Sequence, residues 1–202
     1  MNEVFIDIKD NNGNVFHSTS VDLDDFNDYE EIANYLVEDV RENVDDSYAI
    51  VEEIENMIND GNYDMFVLKD SESGYYQKGS SLEDIFERYE ILKEYNEDFL
   101  NAYESSYYNL NNMDNTELSN LENYSLYRGS AKEYAKNLIE DLRSWNGQEI
   151  SEELLKYLDY ESIANDLIKG GEVVETNEGV LVEDGLGNNT KNTSTYNKIH
   201  RM

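Results

Sequence analysis

The side chains in this chain that could do chemistry are almost all carboxylates. Of 202 residues, 46 are Asp or Glu against 15 Lys or Arg, for a formal net charge of -31. Pairs of carboxylates occur throughout, so no single pair marks general acid–base catalysis of the glycosidase kind. One run is ordered. Glu83, Glu87, Glu90, Glu94 and Glu97 follow one another at intervals of four, three, four and three. On one helix, neighbours at those intervals sit about 5–6 Å apart, comparable to successive phosphates along a nucleic-acid strand. Such a row can present anionic charge to a basic surface, with Arg88 and Lys93 relieving part of the repulsion within it.

Other chemistries find little support. His17 and His200 are the only histidines, and neither has a neighbouring ligand set. There is no cysteine, which removes disulfides, thiolate metal sites and a cysteine nucleophile. No Gly-rich phosphate loop follows a strand, and no nucleophile elbow is present. Asp10–Asn14 resembles a calcium loop superficially. Aligning Gly13 with that loop's required glycine, however, puts Ile8 and Thr19 where acids are needed. The expectation is a non-enzyme with no cofactor and no metal.

Charge also narrows the partners. A surface this acidic repels DNA, RNA and anionic lipid, so the expected partner is a basic protein surface. Duplex DNA carries about two charges per base pair; on that scale the chain holds the charge of roughly 15 base pairs and a dimer that of about 30. No apolar run approaches the ~18 residues of a membrane span, and the first residues lack the basic start and apolar core of a signal peptide. A cytoplasmic location is expected.

A mean hydropathy of -0.78 would suit a disordered chain. Against that, 17 Tyr, six Phe and periodic aliphatic residues predict folded units with thin cores. Val4–Ile8 and Val15–His17 flank an Asn- and Gly-containing turn, which predicts an opening hairpin. Helices follow over about Asp28–Val44 and Tyr48–Asp60, then a strand at Met65–Leu68. This β-β-α-α-β order predicts an α+β unit over 1–75. Ser80 and Ser81, with Glu83 and Asp84, open a helix that carries Leu82, Ile85, Phe86, Tyr89 and Leu92 inward and the glutamate row outward. Residues 101–128 are rich in Asn and Tyr and predict irregular structure with one short helix near Thr116–Asn123, Tyr103, Tyr107 and Tyr108 serving a core or an interface. This middle stretch, 76–128, is read as a helical subdomain.

From Ser130 a helix is predicted to Arg143, with Ala131, Tyr134, Ala135, Leu138 and Leu142 inward. Ser151, with Glu152 and Glu153 after it, starts the next of two short helices, which part near Asp159. Gly170-Gly171 stops the second, and Val173–Asp184 reads as a hairpin turning at Asn177-Glu178-Gly179. Residues 129–184 thus form a C-terminal subdomain. Residues 185–202 hold no Asp or Glu but contain Lys191, Lys198 and Arg201, and read as a flexible basic tail.

KYLDYESIANDL followed by GGEVVETNEGVLVED resembles the end of the ArdA-type antirestriction proteins. SLEDIFERYEIL and ELSNLENYSLYRGSAKEYAKNLIEDL extend the similarity, which covers roughly Ser80 to Asp184. The resemblance implies an α+β fold of two or three small mixed subdomains with a highly acidic surface. It implies an elongated homodimer, encoded by a mobile element or phage, that imitates B-form DNA in the groove of type I restriction-modification enzymes. By that likeness Asp159, Glu161 and Asp166 join the glutamate row as the DNA-mimic surface, while Tyr157, Leu158 and Tyr160 belong to a subunit contact or a core. The family opens with a strand and a Tyr-Asn-Gly-containing turn leading to a tryptophan; residues 1–25 show only the strand and a turn. Two alternatives stay open: a DNA mimic that blocks an RNA-guided nuclease, and an acidic module that binds a basic protein without phosphate-like geometry.

Overall fold

The computed structural model describes residues 2–10, 12–45, 48–107, 109–145 and 151–183, with backbone alone for 142–145. The chain is of mixed α/β type, with eight α-helices and two three-stranded sheets among these residues. It divides into two compact units: residues 1–93 with 110–118, and residues 94–109 with 119–202. These units cut across the stretches 1–75, 76–128 and 129–184 drawn from the sequence.

The first unit opens with the predicted hairpin, β1 (Glu3–Lys9) and β2 (Val15–Asp22). Its turn forms because Asp10 Oδ1 accepts the backbone N–H groups of Asn12 and Asn14, at 2.9 and 2.8 Å, while Gly13 takes a positive φ of 80°. β3 (Phe66–Ser71) adds to the other side of β1, giving an antiparallel sheet of order β2-β1-β3. Period-two alternation sends Val4, Ile6 and Ile8 to one face, each fully buried, and leaves Phe5 40% exposed on the other. On the buried face pack α1 (Tyr29–Asn43), α2 (Tyr48–Asn59) and α3 (Leu82–Leu92), which share one core with the sheet. Asp28 caps α1 by accepting from Glu31 N, and Ser81 caps α3 by accepting from Asp84 N.

The second unit corrects the reading of the middle of the chain. Residues expected to be irregular form α4 (Glu97–Ser106) and β4 (Tyr124–Tyr127). Phe99, Leu100, Ala102 and Tyr103 are buried on α4. Their rings explain why a polar-looking stretch is ordered: Tyr95 stacks on Phe99 at 4.8 Å, and Tyr103 meets Tyr107 at 5.3 Å and Tyr124 edge-on at 5.2 Å. Tyr103 is therefore core and Tyr107 half-buried; Tyr108 lies outside the described residues. The helix expected near Thr116–Asn123 is a shorter turn, α5 (Asn115–Leu118), which belongs to the first unit, and a 3₁₀ segment at Ser119–Asn123, which belongs to the second.

Three helices and the second hairpin complete this unit. They are α6 (Ala131–Trp145), α7 (Glu152–Leu155), α8 (Tyr160–Gly170), β5 (Val173–Glu175) and β6 (Val180–Glu183). The sheet order is β4-β6-β5, all antiparallel. Gly171, at φ 78°, ends α8 by donating to the carbonyls of Ile168 and Leu167, as Gly170-Gly171 predicts. Ala131, Ala135, Ala164, Val173, Val180 and Val182 form the small core of this part. The side chain of Leu142 and residues 185–202 lie outside the described residues.

Candidate acidic interaction surface

The glutamate row is not one helix. Three of its members, Glu83, Glu87 and Glu90, stand exposed on α3. Their opposite face is Leu82, Ile85, Phe86, Tyr89 and Leu92, all buried. The helix then ends: the N–H of Lys93 turns back to the carbonyls of Ile91 and Tyr89, and Asn96 starts α4 by accepting from Phe99 N at 2.9 Å. Glu94 falls in the link and Glu97 in the first turn of α4, and both belong to the second unit. A row of five at constant spacing is thus corrected to a row of three, with two exposed glutamates beyond it. The cause is local. Tyr95-Asn96 offers a side-chain cap where a continuing helix would have to bury Asn96.

Arg88 is a second correction. The sequence reading places it among the glutamates as a counter-charge, but it is 4% exposed. Its Nε donates to the carbonyl of Tyr75 at 2.6 Å and its Nη1 to that of Met113 at 2.8 Å; Nη2 donates to the carbonyl of Leu110. Burial lowers its pKa from the ordinary guanidinium value. The row therefore keeps its charge on α3 apart from Glu90, which pairs with Lys93. Glu87 Oε2 accepts from Asn115 Nδ2 at 2.9 Å. The spacing already carried a signal for Arg88: Ile85, position 88 and Leu92 lie three and four apart, on the apolar face.

In the motif near the C-terminus, Asp159 caps α8, accepting from Ser162 N at 3.1 Å and Ser162 Oγ at 2.9 Å. Those bonds hold its carboxyl below the ordinary 3.8. Glu161 is exposed and lies 3.3 Å from Lys132 Nζ, a pair too open to water to count for much. Asp166 is exposed on α8. Tyr157 is 86% exposed, which takes it out of any core within the described residues. Leu158 and Tyr160 are half-buried, and the Tyr160 hydroxyl donates to the carbonyl of Leu155 at 3.3 Å.

Other carboxylates come forward only in three dimensions. Arg41, on α1, bridges Glu38 on its own helix and Glu55 on α2, where the Nη2–Oε1 distance is 2.7 Å. His17 Nε2 lies 2.5 Å from Asp39 Oδ2, and Asp39 Oδ1 accepts from Asn43 Nδ2, so this histidine has a structural partner. Among the described residues no group of three or more His, Asp or Glu side chains is placed to hold a metal ion, and no helix is long and apolar enough to cross a membrane.

The fold is that of a mixed α/β protein. No protein-family model matches the chain, and no curated protein matches it.

Proposed function

We propose that this chain is a DNA-mimic inhibitor of a host defence nuclease. Its target is the basic DNA-binding groove of a type I restriction-modification enzyme. The observation that carries the reading is α3: Glu83, Glu87 and Glu90 are exposed at successive helical spacing while the other face is locked into the core. Fixing that face holds the carboxylates at about 5–6 Å intervals. A basic groove then meets anionic groups already in place, on a chain of net charge -31. Inhibition is competitive: Lys and Arg that grip phosphates bind these carboxylates, and both surfaces release counterions. In the second unit Asp166 and Glu161 are further exposed carboxylates, whereas Asp159 acts through the helix it caps. The resemblance to antirestriction proteins supports the choice of target and a homodimeric state.

The test is cleavage of unmodified plasmid by a purified type I enzyme, titrated with this protein at two salt concentrations. Protection near stoichiometric amounts, weaker at higher salt and reversed by competitor DNA, is expected. Full cleavage at large excess removes type I enzymes as the target and turns the assay to RNA-guided nucleases.

A further inference from the structure

The exposed carboxylates of α3 are not held alike. Glu90 pairs with the cation of Lys93. Glu87, the middle of the row, is held by a neutral donor. Nδ2 of Asn115, on α5, donates to Glu87 Oε2 at 2.9 Å and to the main-chain carbonyl of Asp84 at 3.3 Å. One amide nitrogen carries two N–H groups and can serve both acceptors, while a carboxylate has a second oxygen to offer. The bond therefore leaves Glu87 its charge and an accepting oxygen. The sequence row gives its glutamates equal standing; α5 singles out one of them.

Asn115 is itself fixed from behind. Arg88, the residue after Glu87, is buried and donates to the carbonyls of Leu110 and Met113, in the stretch that leads into α5. α5 then opens on a reciprocal cap: Asp114 Oδ1 accepts from Glu117 N at 2.7 Å, and Glu117 Oε2 accepts from Asp114 N at 3.1 Å. Leu118, which ends α5, is fully buried. All of these residues belong to the first compact unit. A single helical turn has little stability of its own, so these ties are what hold the amide of Asn115 against α3.

We infer that Glu87 is the anchoring carboxylate of this surface and Asn115 its positioning residue, holding it in one orientation for a cationic side chain of the partner. The inference rests on the reading of α3 as a DNA mimic, and adds which of its acids is aimed and by what. The reason is entropic. A glutamate on a helix surface samples several rotamers and loses that freedom when a partner binds it. A hydrogen bond made beforehand, in the free protein, removes part of that loss from the binding step. Glu90 is ordered by Lys93 as well, but there a partner cation must first displace the lysine.

Two substitutions at Asn115 in the full chain separate position from charge. Asn115→Ala removes the donor. Asn115→Asp adds a negative charge but replaces the donor with a group that repels Glu87. If net charge alone governed inhibition, Asn115→Asp would protect plasmid at least as well as the parent. Positioning predicts the reverse: both variants lose about fivefold in a type I cleavage titration. Introduced into a Glu87→Ala chain, Asn115→Ala should cost nothing further, because it acts through that carboxylate. A second readout needs no nuclease. The side-chain amide proton resonances of Asn115 should move on Glu87→Ala and far less on Glu83→Ala or Glu90→Ala. Protection by Asn115→Asp equal to the parent's, an Asn115→Ala loss undiminished without Glu87, or amide protons indifferent to Glu87→Ala would overturn the inference. A parent chain that gives no protection sinks the nuclease reading instead, and the amide protons still decide whether Asn115 holds Glu87.

Discussion

The guanidinium of Arg88 donates to the main-chain carbonyl of Met113 at 2.8 Å, 25 residues further along the chain. With its bonds to Tyr75 and Leu110 it ties three stretches of backbone to α3, using a buried cation and no carboxylate. Planar, forked donors suit three carbonyls at once, which a lysine cannot match. Arg88→Met fills the space but leaves those carbonyls unpaired, and should cost about 3 kcal/mol in chemical denaturation. Arg88→Lys should recover little of it. A loss below about 1 kcal/mol for either would mean that water replaces the guanidinium freely.

Gly179 makes a different constraint visible. At φ 147°, a Cβ there would stand 2.3 Å from the carbonyl oxygen of Tyr127. Gly179→Ala must move β4 away from the β5–β6 turn or change the backbone, at about 1–3 kcal/mol. Thermal unfolding measures the loss, and amide exchange at Val180 and Tyr127 should report where it falls. Unchanged melting would contradict the close approach.

The Asp159 cap sets a pH dependence. Its folded pKa lies below the unfolded 3.8, so its contribution is fully present above that value and is lost as pH falls through the folded pKa. Asp159→Ala should therefore melt earlier than the parent at neutral pH. The gap should close on acidification below about pH 3.8. A gap that persists or widens in acid would show that the carboxylate charge is not what caps α8.

Tyr76 is 3% exposed, and among the described residues its hydroxyl is buried with no hydrogen-bond partner. Burial raises its pKa far above the ordinary 10.0, so the group stays neutral. Removing an unpaired hydroxyl while keeping the ring should be neutral or stabilising. Tyr76→Phe is expected to raise stability by up to about 1 kcal/mol. Clear destabilisation would reveal a bonded hydroxyl.

For the proposed inhibition, the triple change Glu83→Gln, Glu87→Gln and Glu90→Gln should weaken plasmid protection about tenfold and flatten its salt dependence. Melting should be unchanged or slightly higher, because like charges three and four apart repel. The comparison set is Glu30→Gln, Glu42→Gln and Glu52→Gln. An equal loss from that set would favour a generic acidic binder of basic proteins over phosphate-like geometry.

Local rules determined much of this protein from sequence alone. Asp28, Ser81, Ser151 and Asp159 stand at helix starts because their side-chain oxygens accept free N–H groups in the first turn, and Gly171 ends α8 because it takes a positive φ without strain. The opening and closing hairpins were legible in the same way, from alternation around Asn- and Gly-bearing turns. Net charge, too, is a property of composition and needs no fold. Tertiary structure decided what depends on distant partners. α4 and β4 are ordered by Tyr and Phe rings meeting across sequence, Arg88 is drawn inward by carbonyls of Tyr75, Leu110 and Met113, and the glutamate row breaks where Asn96 caps a new helix. Periodicity says which face of an element a residue occupies. Only packing says whether the next element continues it.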